Sequence, residues 1–251
     1  MRRVLLWFKQ DLRLDDHPAL QAARGADALL PVFILDPAQL QPGPLGSRGL
    51  GVHRARFLLE SLAALDGALR QRGSHLLVLQ GRAEQLIPQL VTRFNLQEVL
   101  TLEEIAPQER QQLQQVRAQL GSVALWEQTG NGLLRRDQLP CPVAELPAVF
   151  TQFRTLVEQG LQVFQPQPAP DYLPHLPEGS EALLTPLPTL SQRGLGEPLR
   201  VAACAFPFSG GEAAASARLR DYLWDSQNVR HYKDTRNGMI GSELALRPTE
   251  R

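Results

Sequence analysis

The sequence predicts an α/β fold: a Rossmann-like five-stranded parallel sheet with flanking helices, then a proline-rich connector and a short helical C-terminal piece. Three observations predict it. Short, unbroken apolar runs recur as far as Trp126, the form a strand takes when both of its faces are buried. Stretches with helical spacing separate most of these runs, which calls for right-handed crossovers and helices on both faces of the sheet. Proline then crowds the middle of the chain. Twelve of the 20 prolines lie between Pro140 and Pro207, where regular elements break and the chain runs extended.

The elements follow in order. Val4–Phe8 is the first strand, and Ala28–Leu35 (ALLPVFIL) the second, ended by Asp36-Pro37. From about Val52 to Gln71, Leu58, Leu62, Leu65 and Leu69 recur at spacings of four, three and four, which places one apolar stripe on one helix face. His75–Leu79 is the third strand, Ala83–Phe94 a helix, and Val99–Leu102 the fourth strand. Gln108–Leu120 is helical behind Pro107, a residue suited to a first helical position. Val123–Trp126 closes the sheet, so the first unit is expected to span residues 1–128.

Residues 129–208 read as an interdomain connector wrapping over that unit, because structureless spans this long are uncommon inside compact domains. One helix interrupts it at Val149–Gln159, where Phe150, Phe153, Leu156 and Val157 share a face. Regular structure resumes at Ser209-Gly210-Gly211-Glu212, which reads as a helix start with a first-turn acid, followed by a helix over Ala213–Leu223. Residues 209–251 are expected to be the beginning of a helical domain.

Composition narrows the class. In 251 residues, Lys+Arg 26 balance Asp+Glu 26, so the surface is not one coated for nucleic acid. Hydrophobic residues at 43% and charged residues at 21% are those of a globular chain. No stretch reaches the roughly 18 apolar residues of a membrane span. The apolar run after Met1-Arg2-Arg3 stops at Lys9, short of the about 7–15 residues of a secretory core. A cytoplasmic protein is expected. Cys141 and Cys204 are far apart with no CxxC, and the five histidines show no ligand spacing, so neither a disulfide nor a metal site is expected.

Ligands of parallel sheets bind at the carboxyl ends of the strands, where the strand order reverses. The loop after the first strand, Lys9 to Pro18, contains no glycine, and none appears before Gly25. A backbone cradle for phosphate is therefore excluded there. Lys9, Asp11 and Arg13 either meet an anionic ligand with their side chains or pair to fix the loop itself, and the second is the expectation. Glu103-Glu104, at the end of the fourth strand, either hold a polar ring or cap the following helix. No GxSxG elbow and no catalytic constellation appears. On residue types alone, an enzyme and a non-catalytic pterin- or nucleotide-binding module both stay open.

Several segments together resemble the photolyase/cryptochrome family, most closely its DASH cryptochromes. They are the opening block Val4 to Leu20; Phe57-Leu58-Leu59-Glu60-Ser61-Leu62; Phe150-Thr151-Gln152-Phe153-Arg154; Gly210-Gly211-Glu212; Arg218-Leu219-Arg220-Asp221-Tyr222; and Tyr232-Lys233-Asp234-Thr235-Arg236-Asn237-Gly238-Met239-Ile240-Gly241. The resemblance implies an antenna-binding α/β domain, commonly for methenyltetrahydrofolate, a long connector, and an all-helical domain that holds FAD. It implies a blue-light flavoprotein that splits cyclobutane pyrimidine dimers, in DASH members preferentially in single-stranded DNA. By resemblance Tyr232 is a flavin contact and Glu104 lies in the antenna-contacting segment, while Lys9 and Arg13 belong to loop structure.

After Gly241 the family continues into a serine- and lysine-bearing stretch that grips the flavin diphosphate. Ser242–Arg251 depart from that pattern. The expectation is a polypeptide that carries the antenna domain, the connector and the start of the flavin domain, as a frame slip or a split gene would leave it. Such a chain is expected to be inactive alone, or to act with a separately encoded flavin subunit.

Overall fold

The computed structural model describes residues 1–41, 46, 49–132, 134, 138–160, 165–193 and 208–235. Cys204, the end of the Tyr232–Gly241 block from Arg236 onward, and Ser242–Arg251 lie outside the described residues.

Five parallel strands form one sheet in the order β3-β2-β1-β4-β5. They are β1 (Arg3–Phe8), β2 (Ala28–Leu35), β3 (Leu77–Gln80), β4 (Glu98–Leu102) and β5 (Ala124–Gln128). β1 is central, and Val4, Leu5, Leu6, Trp7 and Phe8 are each at most 2% exposed, as a run without polar residues requires. Its alternate residues feed two cores. Val4, Leu6 and Phe8 pack with α1 (Pro18–Ala23) and α2 (Val52–Arg70) on one face. Leu5 and Trp7 pack with α3 (Ala83–Arg93) and α4 (Pro107–Gln119) on the other. The chain builds outward through β2 and β3, then crosses back to place β4 beside β1. The carboxyl ends of β1 and β4 are therefore the point at which strand order reverses.

Three details differ from the sequence expectation. Helix α1 was not anticipated: it has only six residues, and its N-cap is His17, whose ring accepts from the Leu20 amide at 3.0 Å in place of a usual Ser, Thr, Asp or Asn cap. β3 begins at Leu77 rather than His75, because the Leu76 amide donates to Asp66 at 2.9 Å and the Ser74 amide to the Leu69 carbonyl at 3.0 Å. These bonds hold the preceding residues off the ladder. α5 (Phe150–Gly160) forms as the spacing predicts, yet only Val157 of its apolar face is buried, and Phe150 is 71% exposed.

Residues 165–193 pack against the α/β unit. The Leu173 amide donates to the Arg72 carbonyl, the Leu29 amide to the His175 carbonyl, and the Asp16 amide to the Gln167 carbonyl. Ala169, Leu173 and Leu187 join the core beneath α1 and α2, whereas Leu176, Leu183 and Leu184 join the opposite one. The helical part is α6 (Glu212–Arg220), continued by a π-helical turn at Asp221–Asp225, and a last short turn, α7 (Tyr232–Thr235). Among the described residues no helix is long and apolar enough to cross a membrane.

Candidate functional site

The carboxyl end of β1 carries the chain into a buried polar cluster. The Lys9 ammonium donates to the Leu102 carbonyl at 2.9 Å and lies 3.4 Å from Glu104, so it ties the ends of β1 and β4 together. Both side chains are only about a tenth exposed, at 10% and 11%. The ammonium also sits 5.1 Å from the centroid of the Trp7 ring, within cation–π range. Burial pushes the Lys9 pKa down, and the charges of Glu104 and Asp11 restore part of it. Burial likewise pushes Glu104 up; Lys9 opposes this, while the Asp11 and Glu109 carboxylates add to it.

Two residues further on, Asp11 is 1% exposed. One of its oxygens accepts the Lys9 amide at 2.6 Å, and the other lies 2.8 Å from His17 Nε2. Because His17 Nδ1 accepts from the Leu20 amide, the ring proton sits on Nε2 and is donated to Asp11. Burial alone would raise the Asp11 pKa, but His17 and the backbone amides outweigh it and hold the carboxyl below its ordinary value. Arg13 donates to the Asp16 and Gly130 carbonyls at 3.1 and 2.7 Å. Lys9, Asp11 and Arg13 thus fix the loop, but through His17, Glu104 and backbone groups rather than by their side chains pairing with one another.

Above this cluster opens a cleft of about 800 Å³, within the size range of small-molecule sites. Its floor is the loop Lys9–Asp16 with Phe33. Its walls are Gln39, Gly49 and Leu50, the first turns of α2, Glu109 at the start of α4, and α6 through Glu212, Ala215, Ser216 and Leu219. A cavity of about 70 Å³ adjoins it, lined by Trp7, Glu104 and Gln112 and sharing Lys9, Phe33 and Glu109 with the cleft. Glu104 therefore reaches only the smaller space, and neither it nor Glu103 caps α4: the N-cap is Ala106, and Glu103 accepts from Thr129 at 3.2 Å. Among the described residues five acids line the larger cleft; Asp11, Asp15, Asp16 and Glu212 accept backbone amides, and Glu109, absent from the sequence expectations, lies on the helix leaving β4. Its available signal was its place in the first turn of the helix leaving β4.

Glu212 is the first-turn acid of α6, as expected, and its carboxylate also spans the fold, accepting the Leu14 and Asp15 amides at 2.9 Å each. Tyr232 stands apart from all of this. It is 43% exposed and lines neither the cleft nor the adjoining cavity.

Residues 4–171 match the DNA photolyase family. The chain belongs to it. Among curated members it is 37% identical over 248 residues to the cryptochrome DASH of Gloeobacter violaceus, an alignment covering 97% of this chain and 49% of that relative. The crystal structure of the cryptochrome of Synechocystis sp. PCC6803 superposes with a TM-score of 0.86 at 31% identity, over 97% of this chain and 50% of that one. An archaeal photolyase from Sulfolobus tokodaii, described with two FAD molecules and the implication of a novel light-harvesting cofactor, shares the fold (TM-score 0.61, 22% identity, 86% of this chain and 46% of that one). The chain spans about half the length of the curated relatives it matches. DNA photolyase family members bind FAD and a second, antenna chromophore. The cleft fits a ring system of antenna size, with Phe33, Leu50 and Leu58 as apolar surface and Gln39 and Glu109 as polar groups. The described residues around Tyr232 do not enclose a flavin.

Proposed function

We propose that this chain carries the antenna-binding half of a DASH-type photolyase/cryptochrome, with the cleft at the β1/β4 switch point as the chromophore site. Its division into an α/β unit (1–128), a connector (129–208) and the start of a flavin-binding helical part (209–251) belongs to the same reading. The observation that carries it is the cleft itself: it is of ligand size, lined by both polar and apolar side chains, and placed where strand order reverses.

The antenna is of the pterin class, methenyltetrahydrofolate being the family's common choice. When bound it supplies light capture, and FAD supplies electron donation to a cyclobutane pyrimidine dimer in single-stranded DNA. The chain's own residues bind and orient. The Glu109 carboxylate accepts the paired N–H donors on the edge of an amino-oxopteridine. Phe33 and Leu58 cover the ring face. Glu104 acts one step back, by holding Lys9 and so the loop that floors the site. Tyr232 contacts the flavin once further groups close around it, and for that reason the 251-residue chain does not repair dimers by itself. Nothing in the relatives favours a separate flavin subunit, since the cryptochrome DASH proteins matched are single chains about twice the length covered here.

Titration of the purified chain with methenyltetrahydrofolate, followed by its visible absorbance, tests the site. Glu109→Gln is expected to weaken binding by about ten- to a hundredfold, the worth of a charge-assisted hydrogen-bonded pair. Equal affinities in wild type and E109Q would remove Glu109 from the site. Illumination of the chain with FAD and dimer-bearing single-stranded DNA is expected to leave the dimers intact; light-dependent loss of dimers would contradict the assignment of inactivity alone.

A further inference from the structure

We propose that Gly210-Gly211-Glu212 is a hydrogen-bonded clasp that sets the aperture of the cleft, with Glu212 as a positioning residue for the chromophore. The proposal rests on the cleft being the chromophore site.

Helix α6 forms one wall of the cleft, yet none of its residues is buried. Apolar packing therefore does not hold it in place. What holds it is polar and lies at its amino end. The Gly210 amide donates to the Glu60 carboxylate at 2.8 Å, and the Gly211 amide to the Ser61 hydroxyl oxygen at 3.1 Å. That hydroxyl spends its own proton on the Phe57 carbonyl at 2.7 Å, which leaves its oxygen free to accept. The Glu212 carboxylate reaches in the other direction and takes the Leu14 and Asp15 amides, one on each oxygen. The segment thus bridges α2 on one side of the cleft and the β1 loop on its floor.

Both glycines are required by how closely the chain approaches α2. A Cβ on Gly210 would lie 2.3 Å from the Phe57 carbonyl oxygen and 2.7 Å from the Ser61 amide nitrogen, both backbone atoms that cannot move aside. A Cβ on Gly211 would lie 2.6 Å from that of Ala64, and Gly211 has φ +105°. Any side chain at either position pushes α6 away from α2 and widens the cleft. Removal of the Glu212 carboxylate frees the loop from above, although Asp11, Lys9 and Arg13 still hold it from below. Aperture and loop position are then coupled to chromophore affinity through α6.

The test uses the full chain with Glu212→Ala, Glu212→Asp and Gly210→Ala. Amide hydrogen exchange at Leu14 and Asp15 is expected to rise by about tenfold or more in E212A, with β1 amides unchanged, as loss of hydrogen bonds to a charged acceptor requires. Binding of methenyltetrahydrofolate is expected to weaken in E212A and G210A while thermal midpoints stay within a few degrees, with E212D recovering part of the affinity. Unchanged exchange at Leu14 and Asp15 in E212A overturns the clasp, whatever the ligand result. A changed exchange rate with equal folate affinity in all variants overturns the positioning role. If wild type itself binds no folate, the reading of the cleft fails, whereas the exchange data still decide the clasp.

Discussion

Asp11 is the residue on which the site's geometry converges. Its two oxygens satisfy the Lys9 amide and the His17 ring, and His17 in turn starts α1, so one carboxylate fixes the loop and the helix that follows it. Asp11→Ala leaves two buried donors without a partner and is expected to cost about 2–4 kcal/mol. In a domain of this size that lowers the thermal midpoint by roughly 5–15 °C, readable by calorimetry. Because the folded pKa of Asp11 lies below its ordinary 3.8, its contribution is present above that value and is lost as pH falls through the folded pKa. An acid limb that is steep in wild type and shallow in D11A is the expected pattern. Lys9 and Glu104 behave in the opposite sense. Lys9→Met strands Glu104 beside two other carboxylates, and the Glu104 pKa is already raised above 4.5. A raised carboxyl is penalised when ionised, so the K9M defect is expected to be greatest near neutrality and to shrink as pH falls through the folded Glu104 pKa toward 4.5. A defect that is constant with pH would contradict the pairing. The loop-fixing role of Lys9 and Arg13 was legible from the acids and bases clustered in their own segment. The identity of the partners was not: Glu104 lies 95 positions from Lys9 and Glu212 lies 198 from Leu14, and pairing at such separation leaves no local pattern.

At the scale of elements, the strands were legible because burial on both faces removes polar residues from them, as in β1 and β2. The longer helices were legible from spacing. Helix α1 was not, since six residues carry less than two turns of pattern and its cap is a histidine. The exposure of α5 shows the limit of periodicity, which identifies an apolar face but not what covers it. Connector packing was legible only in outline: proline density signals an extended run, whereas its leucines turn out to belong to both cores. Leu173 is 6% exposed and sits in the core beneath α1 and α2. Leu173→Ala is therefore expected to destabilise the α/β unit by about 2–4 kcal/mol, as a core leucine does. Urea unfolding monitored by tryptophan fluorescence checks this; a loss below about 0.5 kcal/mol, the range of a surface substitution, would mean the connector merely lies on the unit.

For the whole molecule, the parallel sheet with its reversal between β1 and β4 determines where a ligand can enter, and α6 closes the outer side of that entrance. A formal net charge of zero leaves recognition to local contacts at this cleft rather than to a long-range field. The chain belongs to the DNA photolyase family and matches about half of each DASH relative, and in the function proposed above the α/β unit and the cleft form its light-capturing part. The most direct test of that account is an amide chemical-shift map of the isotopically labelled chain titrated with methenyltetrahydrofolate. Saturable shifts confined to Lys9–Asp16, Gln39, Glu109 and Ser216, with Tyr232 unmoved, are the result the account predicts. Absence of saturable shifts at these residues, or shifts centred on Tyr232, would contradict it.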